Sequence, residues 1–350
     1  MVNVALIGPL YNGLDKYLTP LASALTSQGC DVDRIGLEDI NFDLEKIKIH
    51  VRNLVQKTNW HKYDILHYNY GTYDAEQLIP LLIPDCPASK ILTIHSIQLD
   101  LFRKVGDLQL AKVVNQKSRM MDGYCFFTKY ARQVTDLVSS PNIVSWHPPN
   151  HESINVSLTS KQRLLKSWGL NESSLIVTIL GYPSHWKDAT SVLKAAKQVP
   201  EIQFIFGGLW WDQKLMREGY NRETMPNIKS IAYELNEIEI VTLIESGIGL
   251  LPYREYPSFQ GSGLLPNYLA RGVTCIVSNI PPLMEYVNNR HFVVDINDET
   301  ALVTTIKQAL NIPHQSPDPN FSYSQHTKEI VKFYSQLLNS EVKRENTSLS

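Results

Sequence analysis

Residues Ile248 to Asn279 read IGLLPYREYPSFQGSGLLPNYLARGVTCIVSN. An apolar strand, Ile248 to Pro252, runs into a polar loop. Gly261-Ser262-Gly263 then opens a helix expected from Leu264 to Arg271, Gly272 closes it, and a second buried strand, Thr274 to Val277, follows. A helix that begins at Gly-Ser-Gly offers free backbone N–H groups and the positive end of its dipole, and glycine lets an anion approach the backbone closely. The segment therefore reads equally well as a phosphate or diphosphate seat and as an ordinary strand-loop-helix-strand turn.

The rest of the chain repeats this alternation. Strands are expected at Val2–Ile7, Asp31–Ile35, Tyr63–Tyr70, Lys90–His95, Gly123–Thr128 and Ile143–Trp146. Helices between them are expected at Leu14–Gln28, Ile47–Val55, Asp74–Leu82, Asp107–Arg119 and Lys129–Val138. The pattern breaks at His147-Pro148-Pro149-Asn150 and resumes with a strand at Leu175–Leu180, so a connection between two domains is placed there. Alternating strands and helices imply parallel sheets covered on both faces. The expected architecture is α/β: two tandem doubly wound Rossmann-like domains, 1–150 and 151–325, with a cleft between them. A last helix and tail, 326–350, pack back toward the first domain.

With 350 residues, 43% apolar and 19% charged, the chain can bury two cores. A formal net charge of -2 gives no reason to expect nucleic acid as a partner. Cys30, Cys86, Cys125 and Cys275 are scattered without a C-x-x-C pair, which fits reduced thiols and no zinc site. MVNVALIGPL lacks a basic n-region and no apolar run is long enough to cross a bilayer, so a soluble cytoplasmic protein is expected. Residues 44–63 and 101–121 each carry five cations against one acid. With Ile47, Val51, Leu54 and Trp60 interleaved, the first could lie peripherally on an anionic membrane; the plainer reading of both is a solvated helix face.

Several strings now point the same way. Asp64-Ile65-Leu66-His67, Leu92-Thr93-Ile94-His95, the GYPSHWKD run from Gly181 to Asp188, Phe206-Gly207-Gly208, and Leu251-Pro252-Tyr253-Arg254 followed by Gly261-Ser262-Gly263 occur in an order that resembles the GT-B glycosyltransferases. The likeness is to their large retaining family of bacterial sugar-nucleotide-dependent enzymes (glycosyl transferases group 1), and it covers nearly the whole chain. It implies transfer of a sugar from a UDP- or GDP-sugar, a co-substrate rather than a cofactor, to an acceptor hydroxyl, with retention and without a metal. A sugar, lipid-linked or small-molecule acceptor would bind the first domain, in polysaccharide or glycoconjugate biosynthesis. The departures are specific. Phe259 and Asn267 stand where the family has paired glutamates, Tyr182 and Ser184 where it has an upstream cation, and Asp188 where a glycine follows the lysine. They keep open a catalytically degenerate partner of another transferase; a sugar-nucleotide epimerase shares the fold as well.

Breaking a sugar-diphosphate bond leaves charge on the diphosphate, which cations and N–H donors must meet. Lys187, just beyond a buried strand, is the first candidate, and a solvated helix-start lysine is the alternative. Arg254 is the second, since a guanidinium binds phosphate bidentately; a loop salt bridge with Glu255 is equally consistent. By resemblance His95 faces the reacting sugar, whereas His67 is better read as core packing. Gly13, in the Gly8–Gly13 loop, closes over the donor. Gly181, Gly261, Ser262 and Gly263 line the donor site, Asn267 bonds a ribose hydroxyl, and Tyr233 and Leu235 hold the base through backbone groups. Trp210 and Trp211 suit either ring stacking or a domain-edge cluster. Glu285 is expected to cap the start of a helix. His147 and His151 have no carboxylate or cysteine spaced to complete a metal site.

Overall fold

The computed structural model describes residues 1–38, 43–96, 101–256, 261–288 and 291–348, with side chains for all but Asn12 and 341–348. Two compact units result. The first takes Met1–Asn150 together with the last helix; the second takes His151–Tyr256 and Ser262–Ser322.

Unit 1 is built on a parallel sheet of β1 (Val2–Ile7), β2 (Cys30–Ile35), β3 (Ile65–Tyr70), β4 (Ser89–Ile94), β5 (Gly123–Phe126) and β6 (Asn142–Val144), in the order β2-β1-β3-β4-β5-β6. All six residues of β3 are buried, as a strand covered on both faces requires. Alternate residues feed opposite faces. Leu66, Tyr68, Tyr70, Leu92 and Ile94 join one apolar cluster with the helix Leu44–Lys57. Val4, Leu6, Ile65 and Ile91 join another with Ile330, Phe333, Tyr334 and Leu337. Those four come from the last helix, Tyr323–Ser348. Gly123 is needed where the helix crosses: a Cβ there would stand 2.6 Å from Phe333 Cζ.

Unit 2 repeats the plan with β7 (Leu175–Leu180), β8 (Ile202–Gly207), β9 (Ile228–Ile231), β10 (Ile248–Leu251), β11 (Cys275–Ser278) and β12 (Phe292–Val294), ordered β12-β11-β10-β7-β8-β9. The two sheets are Rossmann-like, and the expected α/β class holds for each.

Local departures have local causes. The expected Asp74–Leu82 helix is a tight 3₁₀ turn, Ala75–Leu78, joined to one α turn with Pro80 near its start, Ile79–Leu82. The Lys129 helix stops at Val134, with left-handed Asp136 shortly after. The apolar residues offered for a bilayer are spent on the core: Ile47, Val51 and Trp60 are buried, and Trp60 Nε1 donates to Val55 O at 2.8 Å. Among the described residues no helix is long and apolar enough to cross a membrane.

Candidate functional site

In unit 2, β7 lies beside β10, with Ile248 paired to Val177 and Gly249 to Thr178. Here the strand order reverses: β8 and β9 extend to one side, β11 and β12 to the other. In open parallel sheets this reversal leaves a crevice beyond the strand C-termini where ligands bind. Lys187 and Arg254 stand on the two loops that leave this point.

Those loops are joined to each other. Asp188 N–H donates to Pro252 O at 2.6 Å and Arg254 N–H to Trp186 O at 2.6 Å, bracketing an antiparallel bridge of Lys187 with Tyr253. The Lys187 side chain turns inward and is only 6% exposed. Its Nζ donates to Leu180 O at 2.6 Å and stands 5.6 Å from the Tyr253 ring and 5.9 Å from the Trp211 ring, within cation–π range. Burial, together with the neighbouring Lys214 cation, lowers its pKa to about 7. The amine is thus poised between charged and neutral, and an arriving anion would hold the proton on it. Gly181 makes the room: its φ is +83°, and a Cβ would stand 3.1 Å from the amine. The Gly181 carbonyl accepts from Trp211 Nε1 at 2.7 Å.

Arg254 pairs with Asp188, not with the adjacent Glu255 that the sequence offered. Its guanidinium, 55% exposed, donates to the fully buried Asp188 carboxylate at 2.9 Å. Asp188 also accepts from Ser191 Oγ at 2.8 Å and caps the helix Ala189–Gln198. The residue standing in place of the family's glycine therefore tethers the second cation.

The Gly-Ser-Gly turn differs from expectation. The helix is short, Leu265–Leu269, with Pro266 removing one N–H. Its first donors are not free: buried Ser262 Oγ accepts from Leu264 N and Leu265 N, each at 3.2 Å. Gly261 is half-buried, and exposed Gly263 gives its carbonyl to Asn267 Nδ2 at 2.8 Å. Asn267 is buried, and its Oδ1 accepts from His151 N–H at 3.1 Å. Each end of that amide thus has one partner within the unit. Phe259 lies outside the described residues.

Beyond β9, the Tyr233 hydroxyl donates to Glu239 at 2.7 Å and lies 3.3 Å from Trp168 Nε1, while Leu235 is buried beside Gly207. Glu285 follows the short helix Pro281–Met284 and stands at its C-terminal end, which rules out the expected N-terminal cap. The two tryptophans divide. Trp211 is fully buried, whereas Trp210 is 53% exposed and has φ 67°, a left-handed conformation rare for a bulky residue and costing about 1–2 kcal/mol.

In unit 1, Gly13 lies exposed in the first turn of the helix Asn12–Ser27. His95 follows β4, with Nε2 3.1 Å from Asn69 Oδ1 and its ring edge-on to Tyr17 and Phe127 at 5.0 and 5.1 Å. Three more imidazoles stand near it. His326, from the last helix, bridges Tyr17 Oη at 2.9 Å and Ser145 Oγ at 2.8 Å. His67 bridges Tyr334 Oη and Thr93 Oγ1, both at 2.6 Å. His147 Nδ1 donates to Pro148 O at 2.7 Å. Burial holds His95 well below the usual imidazole range, with the charges of His147, His67 and His326 opposing its protonation, so the ring is neutral. Among the described residues no group of three or more His, Cys, Asp or Glu side chains is placed to hold a metal.

No protein-family model matches the chain, and no curated protein matches it in sequence. Its likeness is structural. Sucrose-phosphate synthase from Thermosynechococcus elongatus superposes over 97% of this chain and 100% of its own, with 14% identity and a TM-score of 0.73. Anabaena HepE, solved with UDP and glucose, superposes over 99% and 100%, with 13% identity and a TM-score of 0.62. A Listeria monocytogenes protein described as a UDP-N-acetylglucosamine 2-epimerase matches over 94% and 95%, with 8% identity and a TM-score of 0.61. The chain has the GT-B fold. Transferases and an epimerase both carry it, so chemistry must be argued from the site.

Proposed function

We propose that the protein is a glycosyltransferase that moves a sugar from a nucleoside-diphosphate donor to an acceptor hydroxyl. The carrying observation is Lys187, a buried amine held by a carbonyl and two aromatic rings where the strand order of unit 2 reverses. As the bond from the anomeric carbon to the donor phosphate breaks, its electron pair passes to the phosphate oxygen. A protonated Lys187 would donate to that oxygen and stabilise the transition state more than the bound donor. Arg254, tethered by Asp188, would supply a second, more solvated cation. UDP- or GDP-sugar as donor, retention, independence of metal and an acceptor held by unit 1 near His95 all belong to this proposal. A neutral His95 can exchange a hydrogen bond with a sugar hydroxyl without bringing charge.

A second reading has its own support. The Asn267 amide and the Ser262 hydroxyl are both engaged within the unit, as they would be in a fold that had become a partner of another transferase. Incubation with a panel of UDP- and GDP-sugars, following release of nucleoside diphosphate, separates the readings. A transferase releases it with the parent and far more slowly with Lys187→Ala, a partner releases none, and an epimerase converts the donor sugar while leaving the nucleotide sugar intact.

A further inference from the structure

At one edge of unit 2, three consecutive residues of the outer strand β9, Ile228, Lys229 and Ser230, line a cavity of about 380 Å³. That volume lies in the range of small-molecule sites. β9 stands two strands from β7, about 10 Å away in the hydrogen-bonding direction, so the cavity is apart from the strand-order reversal. Trp168, Asp212 and Arg222 also line it. An open sheet edge invites an added strand, but here the unit occupies its own edge. Ile228 N–H donates to Met225 O at 3.1 Å, and Ile228 O accepts from Tyr220 Oη at 3.2 Å. With both backbone groups taken, the cavity suits a small molecule and not a paired strand.

The lining side chains define its chemistry. Lys194, Lys214, Arg254 and Arg271 each pair with an acid. Among the described residues Arg222 and Lys229 make no ion pair. The Ser230 hydroxyl oxygen is buried without a hydrogen-bond partner, a state that costs free energy until something fills it. Trp168 Nε1 is occupied by Tyr233 Oη at 3.3 Å, so the indole has only ring surface left to offer. Local roles explain part of this. Asp212 stands in the first turn of the helix Trp211–Arg217. Lys229 Nζ lies by the C-terminal end of the helix Leu158–Ser167, 3.3 Å from where a Cβ on Gly169 would stand. Both placements suit the helix dipoles, yet they account for neither Arg222 nor the orphan hydroxyl.

We infer that this edge cavity binds a phosphorylated sugar, at a site separate from the one built around Lys187. A phosphate monoester brings nearly two negative charges and accepts hydrogen bonds, which matches Lys229, Arg222 and the Ser230 hydroxyl. Sugar hydroxyls would donate to the Asp212 carboxylate, and a ring face would cover the Trp168 indole. Inorganic phosphate fills too little of the volume, and a neutral sugar leaves both cations unpaired. The inference does not depend on the role of Lys187.

The test is titration calorimetry of the full chain with glucose 6-phosphate, glucose 1-phosphate, glucose and inorganic phosphate, with and without excess UDP. One of the two sugar phosphates should bind more tightly than glucose or phosphate, and UDP should not displace it. Lys229→Gln should weaken it by about 10- to 100-fold, the loss of one charge-assisted hydrogen bond, and Arg222→Gln by less, because that side chain is exposed. Ser230→Ala should weaken it by about 2- to 10-fold. Its thermal midpoint without ligand should equal or exceed the parent's, since an orphan hydroxyl does nothing for the fold. Lys187→Ala should bind the sugar phosphate as the parent does. A parent that binds neither sugar phosphate, or binds inorganic phosphate as tightly, overturns the inference. So does parental affinity in both Lys229→Gln and Ser230→Ala, or a fallen midpoint in Ser230→Ala, which would make the hydroxyl part of the fold. Displacement by UDP or loss of binding in Lys187→Ala would move the ligand to the Lys187 site and overturn it as well.

Discussion

The two units solve one folding problem and leave opposite electrostatics at their strand ends. Unit 1 gathers His67, His95, His147 and His326 near the ends of its strands, where burial keeps them neutral. Unit 2 places Lys187 and Arg254 on the loops where its strand order reverses, one buried and one tethered. The difference follows from the partners each side chain meets. An imidazole can shed its proton and keep both ring nitrogens bonded to hydroxyls, as His67 and His326 do. A lysine has no acceptor to offer, so Lys187 depends on a carbonyl and ring faces and stays within reach of its charge. One edge excludes charge; the other, on the proposed function, holds it ready for an anion.

The sharpest way to break this contrast is to remove the poised charge. Lys187→Ala should lower turnover by about two to three orders of magnitude, the loss that follows removal of one preorganised donor to a developing anion. Lys187→Arg should restore only part, because the planar guanidinium does not fit where an ammonium sat. The pH dependence carries a sign. With its pKa at about 7 in the free protein, the amine loses its charge as pH rises, so affinity for a nucleoside diphosphate should fall above neutrality. Initial rates and calorimetric affinities from pH 6 to 9 check both; a flat profile, or an alanine variant with parental turnover, removes Lys187 from the chemistry.

The next test breaks the opposite edge. Burial depresses the folded pKa of His67 and His326 to about 3 and that of His147 to about 4. Once unfolded, each imidazole takes up a proton near pH 6.5, so below that pH the unfolded state binds more protons and stability falls. The stabilisation is complete above pH 6.5 and erodes as pH drops toward the folded values. At pH 5 each fully buried imidazole should cost about 2 kcal/mol. Tyr17, Tyr334 and Cys125 face the cluster, stay neutral under these conditions and do not offset the loss. Hydrogen exchange at pH 5 should therefore open β3, β4 and the last helix before β7 and β8. His326→Gln, which cannot take up the proton, should make the fall of stability with pH shallower by about one proton. Equal weakening of both units would mean that the cluster has no such effect.

How far these edges could be read in advance differs between them. The central strands were legible because a parallel strand covered on both faces must be apolar nearly throughout, as β3, β10 and β11 are. Lys187 was legible from its place after such a strand. Asp188 was visible only as a departure from a pattern. Its pairing with a guanidinium 66 residues away depends on β7 lying beside β10, an adjacency that no local pattern encodes. His326 gave no signal, since its partners lie 181 and 309 residues away. For the Gly-Ser-Gly turn the sequence carried the missing clue. A serine two and three residues before the first helical N–H groups is itself a cap, and that competes with any anion for the same donors.

That competition can be measured as a smaller effect within unit 2. If Ser262 is a cap, Ser262→Ala should cost about 1 kcal/mol in denaturant unfolding. Nucleotide affinity should stay unchanged or rise slightly as the Leu264 and Leu265 N–H groups are released. A large loss of affinity with parental stability would instead make the hydroxyl a ligand.

The smallest effect concerns the tethered cation. Arg254 is more than half exposed, so solvent screens its bond to Asp188 and the pair should contribute less than about 1 kcal/mol to stability. Its value would lie in position. A guanidinium held by a buried carboxylate loses little freedom when a diphosphate arrives, whereas a free one must be ordered at that moment. Arg254→Ala and Asp188→Asn should then each weaken nucleoside-diphosphate binding by less than about 10-fold, well short of the Lys187→Ala effect on turnover. The double variant should be no weaker than Arg254→Ala alone, because a tether has no effect once the cation is gone. The loss from Arg254→Ala should also shrink as salt is raised, as an exposed charge requires. Additive losses in the double variant would show that Asp188 acts through its helix cap. A loss of turnover in Arg254→Ala equal to that in Lys187→Ala would make the exposed arginine a second leaving-group cation, and the contrast between one buried and one auxiliary charge would go.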